Sequence, residues 1–211
     1  MDRAAGPDTG ALAERARHAL REAGDRSLAL GGFGPAAEHY AGALALWPAD
    51  DPDRGLVLLG LGRARAWAGA AAETAPREAA AALVAAGRPE LAAEAEFLVG
   101  DRAWYGGDRK TADAQLARAL ALVEPLPPSR SKAWILSQAS RMAMLAARND
   151  EAIEYGLRAL DLAEALDLPE VRVHALANVG VARAFHGDAA GIADLEEGVA
   201  IARSLNSPEL P

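Results

Sequence analysis

Two glycine-bearing stretches carry residues that could cradle a phosphate: "GGFGPAAEHY" from Gly31 and "GLGRARAWAG" from Gly60. A loop of that kind needs an apolar strand before it and usually ends in Gly-Lys-Ser/Thr, so that backbone amides and a lysine meet the anion. Before Gly31 stands "RHALREAGDRSLAL", whose apolar residues have helical spacing, and no lysine follows the glycines. The second stretch also follows no strand. Both read as helix and turn rather than as nucleotide sites.

The remaining chemistry-bearing residues are few. Of the four histidines, His18, His39, His174 and His186, the last two share a helix but lie twelve residues apart, about a third of a turn out of line. They do not converge on a metal, and the His-Glu-x-x-His spacing of a zinc site is absent. His39, beside Tyr40 on a second helix, is expected at the surface. The acidic run "ADDPD", residues 49–53, lacks the alternation, glycine and distal glutamate of a calcium loop and reads as a solvated linker. No serine sits in a Gly-x-Ser-x-Gly elbow. Without cysteine there is no disulfide, thiolate metal site or cysteine nucleophile. We expect no enzyme, no cofactor and no metal.

The bulk numbers point the same way. Hydrophobic residues make up 51% of the 211, much of it alanine, while aromatics are only 5%. Alanine favours helices and lets them approach closely, and no stretch alternates β-branched residues as a strand would. The chain is expected to be all-α. A net charge of −8 opposes binding to a nucleic-acid backbone, which needs clustered Lys and Arg. The polar N-terminus is no signal peptide, and no apolar run is long enough to span a bilayer. These features predict a cytoplasmic protein with no membrane or nucleic-acid partner.

Self-similarity supplies the organisation. Gly24, Gly62, Gly100, Ser140 and Gly180 stand in register at spacings of 38, 38, 40 and 40 residues. Seven residues after each come Gly31, Gly69, Gly107, Ala147 and Gly187. A second helix then follows with small, large and small residues at i, i+4 and i+7, one helix face. Ala36/Tyr40/Ala43, Ala112/Leu116/Ala119, Ala152/Gly156/Ala159 and Gly191/Leu195/Gly198 occupy these places. Small residues admit a neighbouring helix, so the glycine stretch is the turn inside a helix pair. Proline-bearing linkers such as "WPADDPD" and "EPLPPSRS" end one pair and start the next. Ser129 or Ser131 can cap the seventh helix, and Asn149 the eighth. In the second pair the second helix is expected to resume at Ala79. The result is five helix–turn–helix units over residues 11–48, 52–88, 89–124, 129–166 and 169–205. They form one domain of 11–205 between a flexible 1–10 and a linker at 206–211.

This pattern resembles the tetratricopeptide repeat, most fully in "AGDRSLALGGFGPAAEHYAGALALWP" with Phe33, Tyr40 and Pro48. The resemblance implies an α-solenoid, a right-handed superhelix that binds protein or peptide partners. Longer phrases, among them "ALANVGVARAFHGDAAGIADLEEGVAIARSLNSPE", are similar to the C-terminal arrays of bacterial class III adenylate or guanylate cyclase–AAA ATPase proteins. That similarity implies a regulatory array as the alternative role, although no cyclase or ATPase motif is present.

In such an array the first helix of each pair lines a concave groove. The register places Arg63, Trp67, Glu94, Phe97, Asp101, Trp104, Tyr105, Trp134, Ser137, Arg141, Met144, His174, Ala184 and Phe185 there, with Asn178 at its edge. Two readings of the aromatic residues stand side by side. Trp67, Trp104, Trp134 and Phe185 can fill gaps between repeats. Alternatively Trp104, Tyr105, Trp134 and Arg141 form a peptide-binding patch of hot-spot residue types. At the other end, "LNSPELP" has the form of a further linker. The last helix should therefore present Leu195, Val199 and Ala202 outward, as the end of a fragment or as a face that docks on a partner or a second copy.

Overall fold

The computed structural model describes residues 7–69 and 74–205. Ten helices lie among them: α1 (Pro7–Ala29), α2 (Phe33–Leu46), α3 (Arg54–Trp67), α4 (Thr74–Ala85), α5 (Pro89–Tyr105), α6 (Arg109–Val123), α7 (Arg130–Leu145), α8 (Asn149–Ala165), α9 (Pro169–Phe185) and α10 (Ala190–Ser204). No strand occurs among the described residues. The helices gather into two compact units, Met1–Ala119 and Leu120–Pro211. In the first, α1 packs on α2, α2 on α3, α3 on α4 and α4 on α5, and the odd-numbered helices also touch, α1 with α3 and α3 with α5. In the second, α7, α8, α9 and α10 pack in sequence and α7 also touches α9.

The register residues are where paired helices approach most closely. A Cβ on Gly24 would lie 2.9 Å from the Tyr40 ring, and one on Gly62 would lie 2.9 Å from Pro76. A Cβ on Gly100 would stand 3.1 Å from that of Gln115, and one on Gly180 would stand 2.8 Å from Leu195. In the fourth pair the bulk changes sides. Ser140 replaces glycine and donates its hydroxyl to Ala152 O at 2.7 Å. Across from it is Gly156, where a Cβ would collide with both Ser140 and Val179. The first and fourth pairs thus use opposite solutions, Gly24 facing Tyr40 and Ser140 facing Gly156.

The turns follow from handedness. Gly31, Gly69, Gly107 and Gly187 have φ of 73°, 72°, 84° and 74°, and Ala147 matches them at 58°. A left-handed residue just past a helix lets its own amide and the next reach back to the helix's last carbonyls. Gly31 N donates to Leu28 O at 3.1 Å and Gly32 N to Ser27 O at 2.8 Å. The same motif recurs at Gly107/Asp108, Ala147/Arg148 and Gly187/Asp188. These amides are therefore committed to their own helices, which removes them from any phosphate cradle. Gly60 and Gly62 are buried inside α3, with Tyr40 and Pro76 against them.

Several boundaries differ from expectation. Helix α1 begins at Pro7, before residue 11, because proline suits the first helical turn. Residues 1–6 and the linker 206–211 lie outside the described residues. Helix α4 begins at Thr74 rather than Ala79, with Ala75, Pro76, Ala79, Ala80 and Leu83 buried, since proline is tolerated in a first turn. Ser129 caps α7 by accepting from Lys132 N at 3.2 Å. Asn149 does not cap α8: the N-cap position falls on Arg148, which makes no side-chain cap bond.

Candidate partner-binding site

In the first unit the residues expected to line a groove divide into paired charges and projecting rings. Arg63 on α3 pairs with Glu94 on α5, which ties two first helices together. Asp101 Oδ2 lies 3.0 Å from Arg102 Nη2. Trp104 is buried at 9% exposure; the Arg109 guanidinium sits 3.4 Å over its ring and donates to Trp104 O at 2.9 Å. Its neighbour Tyr105 is 64% exposed, with Arg102 5.2 Å from the ring. Trp67 is 71% exposed and stacks on Phe33, centroids 5.7 Å apart. Phe97 is buried.

The second unit gathers its residues around a polar cluster that the sequence disclosed only as neighbouring register positions. Ser137 is fully buried on α7, and its Oγ stands 2.6 Å from His174 Nδ1 on α9. One turn on, Asn178 donates to His174 O at 2.8 Å and approaches Ser137 O at 3.5 Å. Trp134 packs against the Ala133, Ala163 and Val171 cluster and lies 5.1 Å from the His174 ring. Arg141 Nε donates to Gln138 Oε1 at 2.8 Å. Burial, aided by the Arg141 charge, holds the His174 pKa down to about 4, so the ring is neutral near pH 7. Asn178 Nδ2, which can only donate, also stands 3.3 Å from Nδ1, so the arrangement suits Nδ1 as the acceptor with the hydrogen on Nε2. Met144 is half-buried, while Ala184 and Phe185 are exposed.

The signal for this cluster was faint but present. His174 and Asn178 are one turn apart, and Ser137 lies one repeat before them. That adjacency only matters once α7 and α9 are known to touch.

The other candidate chemistry resolves into structure. Asp51 accepts from Asp53 N at 2.9 Å and faces Arg17 at 3.6 Å. The amide bond first, and Arg17 with it, holds Asp51 below the usual carboxylate range. Asp53 pairs with Arg88 at 2.7 Å, so the acidic run is pinned on both sides. His39 is half-buried rather than exposed. His186 faces Asp150 at 3.2 Å. Among the described residues, no three His, Asp or Glu side chains gather as metal ligands, and no helix is long and apolar enough to cross a membrane.

No protein-family model matches the chain, and no curated protein matches it. Solved structures do. A kinesin-light-chain-type protein of nearly identical TPR-like repeats from Podospora anserina aligns at TM-score 0.67 and 18% identity, over 90% of this chain and 96% of that one. BtubC (BKLC) from P. vanneervenii aligns at TM-score 0.66 and 18% identity, covering 94% and 91%. MamA protein aligns at TM-score 0.53 and 20% identity, covering 94% and 98%. At such identities the likeness carries the fold and nothing beyond it. The chain has the all-α fold of a helical-repeat solenoid of the tetratricopeptide kind.

Proposed function

We propose that this chain is a non-catalytic cytoplasmic scaffold that holds a protein or peptide partner along the first helices of its repeats. One observation carries the reading. Trp67, Tyr105 and Phe185 each close a first helix, two residues before the left-handed turn residue, and are 71%, 64% and 76% exposed. Large rings held in solvent at one repeat position contribute nothing to the core, and such residue types dominate binding energy when a partner covers them. In this reading Arg63, Glu94, Asp101 and Trp104 form the shaped floor in the first unit, beside Trp67 and Tyr105, and Trp134, Arg141 and Asn178 form it in the second, beside Phe185.

The test is a random-peptide phage library panned against the whole chain. Enriched peptides should lose about tenfold or more in affinity for Trp67→Ala/Tyr105→Ala/Phe185→Ala, with circular dichroism unchanged. Unaltered affinity, or no enriched peptide, overturns the reading. The alternative, an array regulating a cyclase–ATPase, rests on the sequence phrases alone.

A further inference from the structure

On α10 the sequence expectation needs a correction: Leu195 fills the space over Gly180 and Ala202 is buried, so of the three residues expected outward only Val199 points there. What the second unit leaves unanswered is polar and lies on α9. Asn178 Nδ2 donates to His174 O at 2.8 Å and approaches Ser137 O at 3.5 Å. Two carbonyl acceptors fix which end of the amide is nitrogen, so Oδ1 points the other way. That oxygen accepts no hydrogen bond among the described residues, although Asn178 is only 5% exposed. On His174 the Nδ1 side is taken by Ser137 and Asn178, and Nε2–H meets no acceptor among the described residues. Neither atom is sealed from solvent. A donor and an acceptor one turn apart are therefore open, each held in place by the bonds of its other end.

Such a pair is selective. A carboxylate, which only accepts, would set its oxygen against Asn178 Oδ1. A lysine or arginine, which only donates, would oppose Nε2–H and meet the Arg141 charge that acts on the ring. An apolar tip would strip water from both atoms and return nothing. A hydroxyl has one oxygen to reach both. A carboxamide carries a carbonyl and an amino group in one plane and answers both. Depth favours a side chain over a main chain: His174 is half-buried and Asn178 nearly closed over, so a slender tip enters where a backbone with its flanking residues does not. The Trp134 ring, 5.1 Å from that of His174, supplies an aromatic wall beside them.

We propose that His174 and Asn178 read an asparagine or glutamine side chain of the partner, with Nε2–H donating to its carbonyl and Oδ1 accepting from its amide. The inference rests on the peptide-binding reading above and names what one residue of the partner must be. Panning the random-peptide library against the whole chain should enrich peptides that share one Asn or Gln. Replacing that residue in the tightest peptide by its acid, or by Leu, should each cost about tenfold or more in affinity. Asn178→Ala should bind the parent peptide more weakly and no longer distinguish it from the Leu form. Should circular dichroism show that this variant loses helicity, the wild type decides: its His174 Nε2–H resonance should move with the parent peptide and stay still with the Leu form. Enriched peptides without a shared carboxamide, or an acid form that binds as tightly, overturn the inference and leave the reading of the rings standing. So does a folded Asn178→Ala that still discriminates, or a resonance that ignores the parent peptide. The absence of any enriched peptide removes both.

Discussion

His174 shows how much a single side chain's surroundings decide. It is a histidine in a helix interior, between a serine hydroxyl and a tryptophan ring, held near pKa 4 by burial and by Arg141. In the unfolded chain it titrates near its ordinary value of 6.5. Between those two values the unfolded chain binds the proton and the folded chain does not. Stability therefore rises with pH across that window, is fully present above it and is lost as pH falls through it. The expected loss from this group is about 2–3 kcal/mol. Urea unfolding at about pH 7 and about pH 4.5 should show a smaller loss for His174→Gln than for the wild type. Equal losses would mean that the imidazole is not buried as a neutral acceptor. At this scale the sequence was legible where one residue type forced the outcome, as with the register glycines. It was faint where meaning depends on two helices meeting, as with Ser137 and His174.

Among the elements, the turns were the most legible, because a left-handed backbone leaves few choices of residue. Four of the five turns inside pairs use glycine, and Ala147 adopts φ 58° without that freedom. An L-residue in this region costs roughly 1–2 kcal/mol. Glycine recovers that cost and gives back part through its greater unfolded entropy. Ala147→Gly should therefore stabilise the second unit by about 0.5–1 kcal/mol, read as a higher urea midpoint at unchanged slope. A lower midpoint would place the alanine methyl in contacts that offset its strain. Helix starts were less legible than turns. The start expected at Ala79 fell too late: Pro76 lies in the first turn of α4, where a missing amide is harmless. Asn149, a good cap by type, lies just inside α8. The proposed groove was legible as positions, yet not as exposure: the register could not tell buried Trp104 from projecting Tyr105 beside it.

For the whole molecule, the repeat predicts that damage stays local. Within each unit the helices pack on helices one or two places away in the chain, and in repeat arrays stability is approximately a sum over units and their neighbours. Tyr40 is the strongest probe of this. It is buried between Gly24 and Gly60, where a Cβ on either would touch its ring, and its hydroxyl donates to Asp25 at 2.6 Å. Burial first, then that carboxylate, pushes its phenol well above the ordinary value, so it remains a donor across the working pH range. Tyr40→Ala removes a ring that three helices share and should cost about 3–5 kcal/mol at that site. Native-state hydrogen exchange should then show α1, α2 and α3 losing protection by several hundredfold or more, on the order of that energy. Helices α9 and α10 should exchange as in the wild type. If α9 and α10 lose protection in step with α1, the chain unfolds as one cooperative body and the nearest-neighbour account fails. If only the α1–α3 amides respond, the period read from the glycines also sets how far a defect travels.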